Sequence, residues 1–276
     1  MSSRKPRPPV RKPVSGTPGW VMPAAVVAAL AVLIAAFLVI RWYTTPLPPP
    51  APSQDTTAQL VTTITTLPSS EFDAVGQGTA NNLIKPVSGT TATGATGKPL
   101  ILYIGAEYCP YCAAQRWPLI IALSRFGTFS GLQTTTSSSS DVFPNTVTFT
   151  FHGATFTSQY IDFRGVETLD RDQNPLQTPS AADQDLLNRY DSAGTIPFID
   201  FANHYASTGA FYPPNVVGGM SWLALADTLK QPDSTQSNAI IGSANLITAA
   251  ICKSNNYQPA SVCSTPAMQS LQNKLG

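Results

Sequence analysis

The residues with the clearest chemical potential are two cysteines three positions apart, in Cys109-Pro110-Tyr111-Cys112. A thiol is nucleophilic as its anion, so the question is whether the chain can hold sulfur as thiolate. The flanking pattern predicts that it can. Leu100 to Ile104 is a short apolar run suited to a buried strand, and it ends at Gly105. After Cys112, Trp117, Ile120, Ile121, Leu123 and Phe126 recur at helical spacing up to Gly127. This order puts the first sulfur at a helix N-terminus, where unpaired N–H groups and the helix dipole favour an anion. Cys109 is therefore the expected nucleophile. Cys112, one turn on, is placed to close a disulfide with it or to resolve a mixed one. Pro110 has no N–H to lose and fits the first helical turn.

Two other chemistries use such a pair: an inert bridge, or half of a zinc site. A zinc ribbon needs a second close pair, and Cys252 and Cys263 are too widely spaced for one. Those two read as a structural disulfide near the C-terminus, worth about 3 kcal/mol for so short a loop. His152 and His204 are the only histidines. His204 follows the Pro197 strand closely enough to suggest copper held by two cysteines and a histidine, but the favoured reading is a surface hairpin histidine. No Gly-rich phosphate loop, Gly-x-Ser-x-Gly elbow or His-Glu-x-x-His is present, and the expected site holds neither metal nor cofactor.

Ala106-Glu107-Tyr108-Cys109-Pro110-Tyr111-Cys112 resembles the active-site segment of the thioredoxin superfamily, and its Pro-Tyr pair is that of glutaredoxins. With Ala113-Ala114-Gln115-Arg116-Trp117 and Ala122-Leu123-Ser124-Arg125-Phe126-Gly127, the chain resembles a family of membrane-anchored thioredoxin-fold proteins of prokaryotes without an assigned function. The resemblance covers most of the chain after Phe72. It implies an α/β, thioredoxin-like fold with an insertion between the Cys-x-x-Cys helix and the cis-proline strand. It also implies a thiol–disulfide oxidoreductase of oxidase or isomerase type. By the same resemblance, Gly194-Thr195-Ile196-Pro197-Phe198 is the cis-proline loop facing the disulfide, with the backbone of Ile196 offered to a substrate chain. Read from the residues alone, Pro197 merely opens a strand, with no cis bond required. Glu107, Tyr108, Pro110 and Tyr111 are the expected tuning residues, and Glu107 reads equally as a solvated loop residue. Tyr103 departs from thioredoxin, which carries a buried acid on the strand before its cysteines. Pro110 and Tyr111 imply a reduction potential of roughly −230 to −180 mV.

The elements that position this unit follow from the rest of the chain. Trp20 to Ile40 contains 21 residues without a charge, enough to span a bilayer as a helix. Six of the 16 basic residues lie at or before Arg41 and none of the 15 acids does. The positive-inside rule then predicts a disordered basic tail (1–19) in the cytoplasm, an anchor (20–42) in the cell membrane and an extracytoplasmic remainder. A cleaved signal peptide would have a shorter apolar core and a small-residue cleavage site, unlike Arg41-Trp42-Tyr43. A Pro- and Thr-rich linker is expected over 43–70, with a stiff extended stalk at its proline cluster, and one domain over 71–276. Beyond Arg41 ten basic residues face 15 acidic ones, a net of −5, which argues against nucleic-acid binding. The expected partners are exported proteins bearing thiols or disulfides, the membrane and an unidentified redox partner.

Further elements are predicted around the motif. A short strand is expected near Leu83-Ile84, a polar loop over 134–140, and strands over 147–151 and 155–163. A helix is expected over 181–190, with Ser180 as N-cap and Asp183 in capping-box position. A hairpin over 198–201 and 209–212, then helices after Ser221 and over 238–255, complete the reading.

Overall fold

The structure is a computed structural model that describes residues 21–44 and 47–275. The expected basic tail, Trp20 and the charge asymmetry they carry lie outside the described residues. The chain divides into two units, 1–45 and 46–276. In the first, α1 (Val21–Thr44) runs for 24 residues, about 36 Å at 1.5 Å per residue. It is long and apolar enough over Val26–Thr44 to cross a membrane. Leu30, Leu33, Phe37 and Ile40 stand exposed along it, so its apolar surface is not covered by protein.

The second unit is a mixed α/β domain, and it starts earlier than the sequence suggested. The segment 47–52 has no regular structure, but α2 (Gln54–Thr65) and α3 (Ser69–Val75) follow within the expected linker. Leu60 and Ile64, one turn apart, are buried in the main core, and α2 packs on the cysteine helix. Thr62, Thr63 and Thr65 turn their hydroxyls back onto the carbonyls four residues earlier. The expected boundary at residue 71 is corrected accordingly: α2 and α3 belong to the domain.

The central sheet has five strands. They are β1 (Lys85–Pro86), β2 (Leu100–Gly105), β7 (Asp162–Glu167), β8 (Phe198–Phe201) and β9 (Tyr205–Thr208), in the order β1-β9-β8-β2-β7. The β2–β7 pair is parallel, with Leu100 opposite Asp162; β8 runs antiparallel to β2, with Ile104 opposite Phe198. All six residues of β2 are buried, as expected for a strand covered on both faces. Between β2 and β7 come α4 (Pro110–Ser124) and two small ladders, β3 (Gly127–Ser130) with β6 (Thr155–Ser158) and, nested inside, β4 (Gln133–Thr136) with β5 (Val147–Thr150). These two ladders form an insertion between α4 and β7. Its phenylalanines Phe129, Phe151 and Phe156 pack on one another and on Phe163 of β7, and Phe151 meets Tyr103 of β2 edge-on.

Several boundaries differ from the sequence reading. The single strand expected over 155–163 is two, because Ser158 turns the chain by accepting from the N–H groups of Tyr160 and Ile161. The second hairpin strand is β9, four residues before its expected place. Ala202 and Asn203 adopt positive φ and tighten the turn at once. The expected polar loop over 134–140 begins inside β4. α5 (Ala181–Tyr190) carries the full capping box: the Ser180 hydroxyl accepts from the Asp183 N–H, and the Asp183 carboxylate accepts from the Ser180 N–H.

The C-terminal helices are α6 (Trp222–Thr228), α7 (Thr235–Ser254), α8 (Ala260–Cys263) and α9 (Pro266–Asn273). Almost every residue of α7 is buried, because α3, α4 and α9 pack around it. Its Asn245 donates to the carbonyls of Gly76 and of Phe72, the latter also accepting from the Gly76 N–H, and so ties the end of α3 to α7. Cys252 of α7 and Cys263 of α8 form a disulfide with Cα atoms 5.5 Å apart.

Candidate functional site

The site begins where β2 ends. The Thr168 N–H donates to the Gly105 carbonyl and the Glu107 N–H to that of Leu169, which hold the turn between strand and helix. Gly105 is required there by a close approach: a Cβ would lie 2.2 Å from the Tyr103 hydroxyl. Cys109 is then the N-cap of α4, and Pro110 opens the first turn.

Cys109 Sγ accepts from the Cys112 N–H at 3.3 Å, so the sulfur takes the place of a capping oxygen. Both cysteines are free thiols; Cys109 is 7% exposed and Cys112 fully buried. The Cys109 thiol is lowered to about 7. The Cys112 side chain hydrogen-bonding to it contributes most, against burial; the helix N–H of Cys112 and the Arg116 guanidinium assist. Burial and the charge of Cys109 push the Cys112 thiol well up, against the pull of Arg116. The pair is thus divided into one sulfur that ionises readily and one that does not.

Proline at position 118 of a buried helix leaves the Ala114 carbonyl without its i+4 donor. The Tyr212 hydroxyl supplies one at 2.6 Å. Trp117 and Trp222 donate to the Val147 and Thr148 carbonyls, and the Thr148 hydroxyl to that of Ala113. These bonds fix α4 against the insertion and α6 on the side away from the sheet.

Pro197 follows a cis Ile196–Pro197 bond. The pairing of Ile104 with Phe198 brings Pro197 to the end of β2 from which the cysteine loop leaves, and the Gly209 N–H donates to its carbonyl. Ile196 is half-buried. Tyr111 is 43% exposed and meets Phe143 of the insertion edge-on at 6.0 Å. Beside Phe143 lies a cavity of about 330 Å³ lined by Val142, Pro144, Asn215 and Met220 among others. The Tyr108 carbonyl accepts from Ser138, and burial with the two nearby thiols raises its phenol. Glu107 is 9% exposed.

The sequence reading missed Arg116 and Glu167. Arg116 sits one turn after Cys112 and is fully buried. Its Nε and Nη2 donate to the two Glu167 oxygens at 2.8 and 2.6 Å, and Nη2 also to the Ala106 carbonyl at 2.7 Å. A basic residue amid an apolar helical pattern was the available signal; nothing in the sequence pointed to a partner 51 residues away. His204 is not brought to the thiols. It lies in the β8–β9 turn, where the Ala202 N–H donates to the Leu100 carbonyl. That is the opposite end of β2, about 20 Å off at 3.3 Å per residue. Its Nε2 bonds the Thr91 hydroxyl.

A family model described as "Domain of unknown function (DUF929)" matches residues 87–190, which hold β2, both cysteines, Arg116, Glu167 and α5 but stop before Pro197. No curated protein matches the chain, and no solved structure does.

Proposed function

We propose that this chain is a membrane-anchored thiol–disulfide oxidoreductase, with a thioredoxin-like domain outside the cytoplasm that acts on exported proteins. One observation carries the reading: Cys109 caps α4 with its sulfur and ionises near pH 7, while Cys112 stays a buried thiol one turn on. A thioredoxin-like arrangement is supported by the parallel β2–β7 pair, the antiparallel β8–β9 hairpin on the other side of β2, and the cis proline before β8. The anchor is α1, and the basic residues before it favour a cytoplasmic N-terminus.

In the exchange, the Cys109 thiolate attacks a substrate disulfide and one substrate sulfur leaves as thiolate. Cys112 then attacks Cys109, the second substrate sulfur leaves, and two electrons have passed to the substrate. Run backwards, the Cys109–Cys112 disulfide takes two electrons from two substrate thiols. A redox partner sets the direction. The loop segment at Ile196, which precedes β8, would offer its backbone groups to an extended substrate segment, and exposed Tyr111 and Val142 offer apolar contact. Cys112→Ser tests the reading, because it removes the resolving sulfur and should accumulate mixed disulfides through Cys109. Mass spectrometry that finds no adduct on Cys109, in membranes where Cys112→Ser is expressed, contradicts it.

A further inference from the structure

We propose that Arg116 and Tyr103 form an internal anion site that receives the Cys112 sulfur as it becomes a thiolate, in the resolving half of the exchange. The inference rests on the reading of Cys109 and Cys112 given above, and it makes Arg116 and Tyr103 positioning residues for the second step.

A fully buried arginine is costly unless its charge is matched and its donors are used. Glu167 matches the charge with two bonds, and Ala106 takes a third. Nη1 is left without a partner among the described residues, although it is buried. The Tyr103 hydroxyl is also buried and also without a partner. The two orphans share one neighbourhood, since the guanidinium carbon lies 5.9 Å from the centre of the Tyr103 ring. Native interiors rarely leave such donors idle, and an idle pair points to an acceptor present only at another stage.

The position identifies that acceptor. Arg116 follows Cys112 at i+4, on the same face of α4. The Tyr103 hydroxyl lies against Gly105, under the turn that leads to the cysteines. The titratable and charged groups acting around Cys112 are Cys109 and Arg116 from its own helix, Tyr103 from β2 and Tyr108 from the loop. Glu167 of β7 stands behind Arg116. Among the side chains that act on it, Arg116 is the one whose charge favours the thiolate. Where thioredoxin carries an acid to move the proton, this chain has a tyrosine, and the guanidinium supplies the stabilisation instead.

The step balances. Cys112 gives up its proton and bonds its sulfur to that of Cys109; the Cys109–substrate S–S bond breaks. The substrate sulfur leaves with the electron pair and takes up a proton. One disulfide replaces another, and no outside oxidant enters.

The reduced protein treated with dithionitrobenzoate separates the two halves. Attack by Cys109 releases the first thionitrobenzoate, and attack by Cys112 on the resulting mixed disulfide releases the second. Tyr103→Phe removes a hydroxyl that bonds nothing in the resting fold, so the ring packing is kept. It should leave the first phase unchanged, slow the second several-fold and move its pH midpoint upward. Arg116→Met should slow the second phase about tenfold or more, as a thiol pKa higher by one unit requires. If Arg116→Met does not fold, Tyr103→Phe decides. A second phase with unchanged rate and pH midpoint in Tyr103→Phe, after a normal first phase, overturns the proposal and leaves the oxidoreductase reading standing. A wild-type protein with no first phase at Cys109 overturns the reading itself.

Discussion

At position 109 the chain uses sulfur as a helix cap. The N–H of Cys112 points at Cys109 Sγ, so the reduced protein is stabilised when that sulfur carries charge. This has a measurable consequence. The rate of Cys109 alkylation by iodoacetamide should rise with a midpoint near pH 7, against about 9 for an ordinary thiol, and Cys112 should stay unmodified through that range. The stability of the reduced protein follows with a fixed sign. Between those two values the folded chain holds fewer protons than the unfolded one, so stability rises with pH from about 7 to about 9 and this contribution is lost below 7. A midpoint near 9 would mean that the cap has no effect on the sulfur.

The place of Cys109 as the N-cap of α4 was legible because a cap depends on neighbours within four positions. Arg116 and Glu167 were not, because their pairing depends on β7 lying parallel to β2, which no local pattern states. Glu107 attracted notice by adjacency alone, whereas the carboxylate that reaches into the site comes from another strand.

Among the elements, α4 shows how much a local pattern can carry. Its N-cap, its proline at the first position and its apolar spacing were all visible, and so was the interior Pro118. What was not visible was the Tyr212 hydroxyl that serves the carbonyl orphaned by Pro118. The helix α5 was readable to its capping box because caps are local. The strands of the insertion were readable only in part. β3 and β4 are four residues each, and β4 is a run of glutamine and threonine with no alternation of apolar residues. The segment of α2 reads as part of a Pro- and Thr-rich linker, yet Leu60 and Ile64 decide its fate by burial, not by propensity. Leu60→Ala should therefore cost about 2–5 kcal/mol, the usual range for a buried leucine. Urea denaturation of the soluble domain would detect it. A loss below about 0.5 kcal/mol, the level of a surface change, would return residues 54–65 to a linker.

At the scale of the molecule, an apolar N-terminal helix precedes a domain whose net charge beyond Arg41 is −5 and which carries a structural disulfide and a separate pair of free thiols. Cys252–Cys263 ties α7 to the C-terminal helices, far in sequence from Cys109 and Cys112. The central claim is that those two sulfurs form a reversible couple. Equilibration of the purified domain with glutathione buffers, followed by quenching and counting of free thiols at positions 109 and 112, measures it directly. The account predicts a two-electron transition at roughly −230 to −180 mV, in the range of glutaredoxins and disulfide isomerases. A pair that stays reduced, or stays oxidised, across the whole span of buffers would contradict it.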